Sequence, residues 1–173
     1  MYTKAILSIL GGAAICVAPI CAQTGAVTKR DAEFLKMAAE ADMTTTHIGK
    51  MAQDRAAADG VKDFGKKLAQ DHTSDYNKLC EFAGKTGESI PKAIDKQDDR
   101  EIAALDKSKG KAFDRAFLAH EAVAHEKLIK AFKQEAGHGD NPDVKAYANK
   151  ALPVIEEHLH DVQDLRKPTT HKG

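Results

Sequence analysis

Apolar residues recur at steps of three and four through four long stretches of the 173-residue chain, and no stretch alternates apolar and polar residues over a strand's length. A stripe with that period is buried only by laying helices side by side, so the pattern restricts the fold to all-α. Tryptophan is absent and alanine abundant, which favours closely approaching helices over an aromatic-rich sheet.

Local signals punctuate the pattern. Thr28 can cap a first helix, with Asp31 supplying the acid three residues on. That helix runs to about Ala57, with Phe34, Ala38, Ala41, Thr45, Ile48 and Ala52 on one face. Asp59 and Gly60 break the chain, and a second helix to about Gly84, with Gly87 just beyond its end, carries Val61, Phe64, Leu68, Leu79 and Phe82 inward. Residues 85–110, with Pro91, are too long for a hairpin and predict a crossover carrying one minor helix around Glu101 to Leu105. A third helix is predicted from Lys111 to Ala136, followed by the loop GHGDNPD. Asn141 caps and Pro142 opens a fourth helix to about Lys167, which Pro153, pointing outward, bends without ending. The predicted fold is an all-α four-helix bundle with a long crossover, bearing the minor helix, between its second and third helices.

The first 22 residues have the layout of a secretory signal peptide, with Lys4, an apolar run and a cleavage site near Ala22. Ile precedes both Cys16 and Cys21 where lipid attachment wants a small residue, and no later apolar run is long enough to span a membrane. The division predicted is a signal peptide at 1–22, a flexible start at 23–28, the helical domain at 29–167 and a tail at 168–173. Cleavage leaves Cys80 alone, so the mature chain has no internal disulfide, and Cys80 reads as a small, semi-buried filler. The whole chain balances 26 basic against 26 acidic residues, and losing Lys4 tips it slightly acidic. Nothing in that balance favours nucleic acid or an anionic membrane.

Phasing each helix by its apolar residues puts several polar side chains inside. His72 lies at the centre of the second stripe, Thr45 on the first and His158 within the buried arc of the fourth. On the third, His120 is near the centre and His125 at the margin. Thr45, His72, His125 and His158 all fall near the middle of their helices, and a midpoint stays at mid-height whichever way the helices run. They can share one layer. An unpartnered buried imidazole costs roughly 1–3 kcal/mol, so His72 needs a partner: another imidazole, Asp71, Glu121, a water or a metal ion. The candidate metal ligands are His72, His125 and His158, with Asp71, Glu121 and His120 as further partners, and zinc or copper as the metal. A di-iron centre is disfavoured, because the Glu-x-x-His spacing at Glu135 and His138 straddles Gly137 at a helix end. His47, His138, His160 and His171 read as solvated.

The segments FLKMAAEADMTTTHIGKMA, VKDFGKKLAQDH, FDRAFLAHEAVAHEKLIKAF and PDVKAYANKALPVIEEHL resemble, in sequence and spacing, the DUF4142 family of exported bacterial proteins. The resemblance runs from about Asp31 to Leu165. It is strongest at Asp71-His72, at His125 after Phe113-Asp114, and at Leu152-Pro153 followed by His158. It implies a ferritin-like bundle, a periplasmic or outer-membrane-associated location and no established activity, and on the third helix it selects His125 over His120. Relatives commonly read EVELG where this chain has Thr45-Thr46-His47-Ile48-Gly49, so the acid expected inward at position 45 is a threonine, which weakens any inherited claim to a metal.

Three roles remain: metal binding or stress protection in the envelope through the histidine layer, a structural module with hydrogen-bonded core histidines that docks an envelope partner, and an enzyme using the imidazoles as acid and base. No phosphate-binding loop, nucleophile elbow or cysteine-based zinc motif supports catalysis, so no catalytic residue is assigned.

Overall fold

The computed structural model describes residues 25–167, which form five helices: α1 (Lys29–Arg55), α2 (Asp59–Thr86), α3 (Lys96–Asp106), α4 (Gly110–His138) and α5 (Pro142–Leu165). The fold is all-α, with no strand among the described residues. None of these helices is long and apolar enough to cross a membrane. The predicted signal peptide and tail lie outside the described residues.

Most helix ends follow the sequence signals. Thr28 Oγ1 accepts from the Asp31 amide and the Asp31 carboxylate accepts from the Thr28 amide, closing a capping box. Asn141 Oδ1 accepts from the amides of Asp143 and Val144 at the start of α5. Gly87, at φ 76°, ends α2 in the left-handed conformation that a side chain resists. α5 runs on through Pro153, which is exposed, so the freed carbonyl one turn back can meet water.

The crossover differs from expectation. α3 begins at Lys96, five residues ahead of Glu101, because Asp95 Oδ1 accepts from the amides of Gln97 and Asp98 and caps a turn that carries no apolar residue. α3 is tied to α1 by the Thr44 hydroxyl, which donates to Asp98 at 2.6 Å, and by Arg55, which donates to the Asp106 carbonyl at 2.9 Å.

α2 has no cap of its own, since Ala58 occupies that position. Asp114 on α4 supplies it, accepting from the amides of Ala57 at 2.9 Å and Ala58 at 3.1 Å. A carboxylate at a helix N-terminus satisfies orphan donors and meets the positive end of the helix dipole. Asp114→Ala is therefore expected to lower unfolding free energy by ~1–2 kcal/mol in urea titrations, with Asp114→Asn recovering most of it. An unchanged midpoint would show that water caps α2 as well.

Two hairpins, α1–α2 and α4–α5, make up the domain, and the burial pattern fixes how they join. One apolar cluster unites the C-terminal half of α1 (Ile48, Ala52), the start of α2 (Val61, Phe64, Leu68), the start of α4 (Phe113, Phe117) and the end of α5 (Val162). The other unites the start of α1 (Phe34, Leu35, Ala38), the end of α2 (Leu79, Ala83), the end of α4 (Leu128, Phe132) and the start of α5 (Val144, Ala148). α1 therefore runs parallel to α5 and antiparallel to both α2 and α4. The positions between the two clusters, at mid-height, hold polar side chains.

At the α1 start, the buried Asp31 carboxylate also accepts from the amides of Asp140 and Asn141, tying α1 to the α4–α5 turn. Burial works against its charge, but the bonds from Thr28 and Asp140 prevail and lower its pKa to about 2. Burial first, and then the hydrogen bond to Asp31, raise the neighbouring Glu135 to about 7. A carboxyl raised in the fold stabilises fully below its ordinary value of 4.5, and that contribution is lost as pH rises through about 7. Asp31 has the opposite sign, contributing above 3.8 and losing its contribution as pH falls toward about 2. Stability is thus expected to decline by ~1–3 kcal/mol between pH 5 and pH 8. Glu135→Gln, which keeps a donor for Asp31, should flatten that decline in urea titrations at each pH; an equal slope in the variant would assign the decline to other groups.

Candidate metal centre

Each of α2, α4 and α5 delivers one imidazole to the mid-height layer, and α1 delivers a carboxylate. His72 is 5% exposed, His125 0% and His158 1%. The ring centroids lie 5.7 Å apart for His72 and His125, and 5.4 Å for each of the other two pairs. One nitrogen from each ring falls within 4.8 Å of the others.

The second nitrogen of every ring is held from outside the triangle. His72 Nδ1 lies 2.8 Å from Asp42 Oδ1, His125 Nδ1 2.9 Å from the Glu121 carbonyl, and His158 Nε2 2.9 Å from Asp71 Oδ2. The Glu121 carboxylate approaches His125 Nδ1 as well, at 3.3 Å. A carbonyl can only accept, so His125 donates through Nδ1, and the carboxylate of Asp71, at the surface, likewise accepts a hydrogen bond from His158 Nε2–H. With Asp42 ionised, His72 donates through Nδ1 too. His72 Nε2, His125 Nε2 and His158 Nδ1 are then three lone-pair acceptors, and these are the buried ring nitrogens without a protein partner.

Electrostatics keep His72 and His158 neutral. Loss of hydration is the largest influence on both His72 and His158; with repulsion from the neighbouring imidazoles it outweighs the nearby carboxylates and brings each pKa down to about 4. Asp42 is pushed well above the carboxylate range, by burial first and by Asp75 second. A cation among the rings would offset the Asp42 charge and favour its ionised form.

Neutral imidazole is a ligand for zinc, copper, nickel and iron, and a metal-binding histidine typically donates its other N–H to a carboxylate or carbonyl. Zinc–nitrogen bonds of about 2.0–2.1 Å in a tetrahedron put the nitrogens ~3.4 Å apart. The present span, up to 4.8 Å, is wider than that, so binding requires the rings to move inward.

Of the other sequence candidates, Asp71 and Glu121 hold ring nitrogens, whereas His120 does not join the layer and faces Glu101 on α3 at 3.8 Å. Thr45 is buried on α1. The acid α1 contributes stands one turn earlier, at Asp42, which sequence reasoning missed. Asp42 lies four residues after Ala38 and three before Thr45, within the buried stripe, so the phase that placed its neighbours inside includes it. Cys80 is exposed, which corrects its reading as a semi-buried filler: it follows Leu79 on the rim of the α2 stripe and turns to solvent. His47, His138 and His160 are exposed as expected, and His171 lies outside the described residues.

Fold and site together define an all-α protein with three buried histidines grouped in its interior. The chain belongs to the DUF4142 family, a domain of unknown function whose match covers residues 17–165. No curated protein matches it. Its fold is similar to that of a DUF305 fragment from Deinococcus radiodurans, at TM-score 0.72 and 12% identity over 82% of this chain and 97% of that one. A DUF305 protein from Streptomyces coelicolor is similar at TM-score 0.66 and 15% identity, over 79% and 91%. At these identities the likeness concerns the fold.

Proposed function

We propose that the protein is an exported, ferritin-like four-helix bundle that binds one transition-metal ion through His72, His125 and His158, as a metal-binding or stress-protection factor of the cell envelope. The observation that carries the reading is the convergence of three buried ring nitrogens without protein partners, each on a ring whose other nitrogen is fixed from behind. A purely structural layer is the competing reading: with Asp42 protonated, its O–H donates to His72 Nδ1 and His72 Nε2–H becomes a donor within the layer. With Asp42 ionised, three acceptors face one point with no donor among themselves, one water serves two of them, and a cation serves all three.

The ferritin-like assignment is supported by the helix directions, with two antiparallel hairpins joined by a long crossover. Export is supported by the signal-peptide layout of the first 22 residues. Zinc or copper is favoured over a di-iron centre, because Glu135 sits far from the layer against Asp31, and His138 is exposed. Elemental analysis of the mature, untagged protein is expected to find about one zinc or copper per chain and little iron. A protein that carries neither, and takes up neither from excess, would overturn the reading.

A further inference from the structure

Between α2 and α5, which stand further apart than the partners within each hairpin, a cavity of about 190 Å³ opens from the surface to the histidine layer. His72 and His158 lie at its inner end, Leu128, Phe132 and Ile155 form apolar walls, and Lys78, Lys150 and the half-exposed Val154 line the mouth. His72 and His158 therefore form part of the wall of a space open to solvent, although their free nitrogens are themselves shielded from it, and the cavity supplies an access route toward the layer for an ion. The volume exceeds what access needs. A cavity of about 150 Å³ with apolar walls accommodates benzene.

We propose that this cavity is a binding site for a small organic monoanion with an apolar body about one ring in size, whose anionic donor coordinates the metal held by the three histidines. The inference rests on the metal reading above and adds the ligand class. Three protein ligands leave one tetrahedral position, and the side on which two of them border the cavity is the side where an exogenous donor can arrive. Charge selects an anion once the metal is bound, since a divalent ion with Lys78 and Lys150 outweighs the carboxylates Asp42, Asp71 and Asp75. The acids of the cavity are already engaged: Asp71 with His158, Asp75 with the Tyr147 hydroxyl at 2.5 Å and with Lys78 at 3.5 Å, and Asp42 with His72. Lys150, at the mouth, makes no ion pair among the described residues. An apolar body would exchange water for Leu128, Phe132 and Ile155, a gain of roughly 25 cal/mol per Å² buried.

The test uses mature protein loaded with Co²⁺, whose visible d–d bands report its coordination, and titrates it with benzoate, neutral benzamide and azide. Benzoate is expected to change the bands saturably, and benzamide at least tenfold more weakly. Val154→Trp, which narrows the mouth at an exposed position, should weaken benzoate at least tenfold and leave Co²⁺ binding and the response to the much smaller azide intact. Bound Co²⁺ whose bands ignore benzoate, or a Val154→Trp protein that binds benzoate as before, would overturn the ligand site alone. Failure to bind Co²⁺ at all would overturn the metal reading and this inference with it.

Discussion

Zinc added to metal-free protein is expected to raise the melting temperature by roughly 8–16 °C once free metal exceeds its dissociation constant a thousandfold, and His72→Ala is expected to abolish the rise. A ligand that binds only the folded state stabilises it by about 4 kcal/mol at that excess. For a domain of this length each kcal/mol is worth about 2–4 °C. His72 is the ring to remove, since it faces both other imidazoles and is the one bound to Asp42. Without metal the same variant loses a few kcal/mol at most, because the stranded Asp42, already raised by burial, can keep its proton. Two companions make the result specific. His120→Ala, outside the layer beside Glu101, should leave the zinc-dependent rise intact. Asp42→Asn should retain the fold and weaken zinc by about 10–100-fold, the usual cost of losing a carboxylate behind a metal-binding histidine. Calorimetry with chelator and with zinc measures all four proteins. A wild-type melting temperature indifferent to zinc, or an equal rise in His72→Ala, would remove the metal from the account.

What could be read in the sequence was the part governed by local periodicity. Thr28, Asn141 and Gly87 announce helix ends because capping is chemistry between residues two to four apart. His72, His125 and His158 could be set at one level because a midpoint keeps its height in either helix direction, and the structure brings the three rings together. Features that depend on a facing helix were not legible. Asp42 shares a stripe with Ala38 and Thr45, yet a lone acid defaults to solvent until the imidazole opposite it is known, and that imidazole lies 30 residues away. Asp114 reads as an ordinary surface acid near the start of α4, but it caps α2 across a gap of more than 50 residues. The resemblance drew attention to position 45 as the missing acid; the fold answers with an acid one turn earlier, whose place in the stripe the helical phase includes but whose burial only the facing His72 explains.

The close approach of α1 and α2 is another such feature, and it yields the second large effect. Gly49 and Gly65 face each other where these helices cross. A Cβ on Gly49 would lie 2.6 Å from the Gly65 carbonyl oxygen and 3.0 Å from the Ala69 amide nitrogen; one on Gly65 would lie 2.6 Å from the Ala52 Cβ and 2.7 Å from the Gly49 oxygen. These are backbone atoms and a methyl with no rotamer to change, so the helices themselves must separate. Alanine in a helix is intrinsically better than glycine by about 1 kcal/mol, whereas overpacking costs about 1–3 kcal/mol and more where backbones collide. Gly49→Ala and Gly65→Ala are each expected to destabilise by ~2–3 kcal/mol, a fall of roughly 4–12 °C. Gly84→Ala, near the end of α2 with nothing within 4 Å, should instead be neutral or gain up to about 1 kcal/mol. The separation should also reach the site, because Gly49 and Gly65 each stand seven residues, about two turns, from Asp42 and His72, which meet at 2.8 Å across the same pair of helices. Zinc affinity should therefore fall together with stability in the two crossing variants and hold in Gly84→Ala. Melting temperatures for Gly49→Ala and Gly65→Ala at or above that of the wild type would mean that α1 and α2 do not meet backbone to backbone, and the spacing that sets Asp42 against His72 would need another cause.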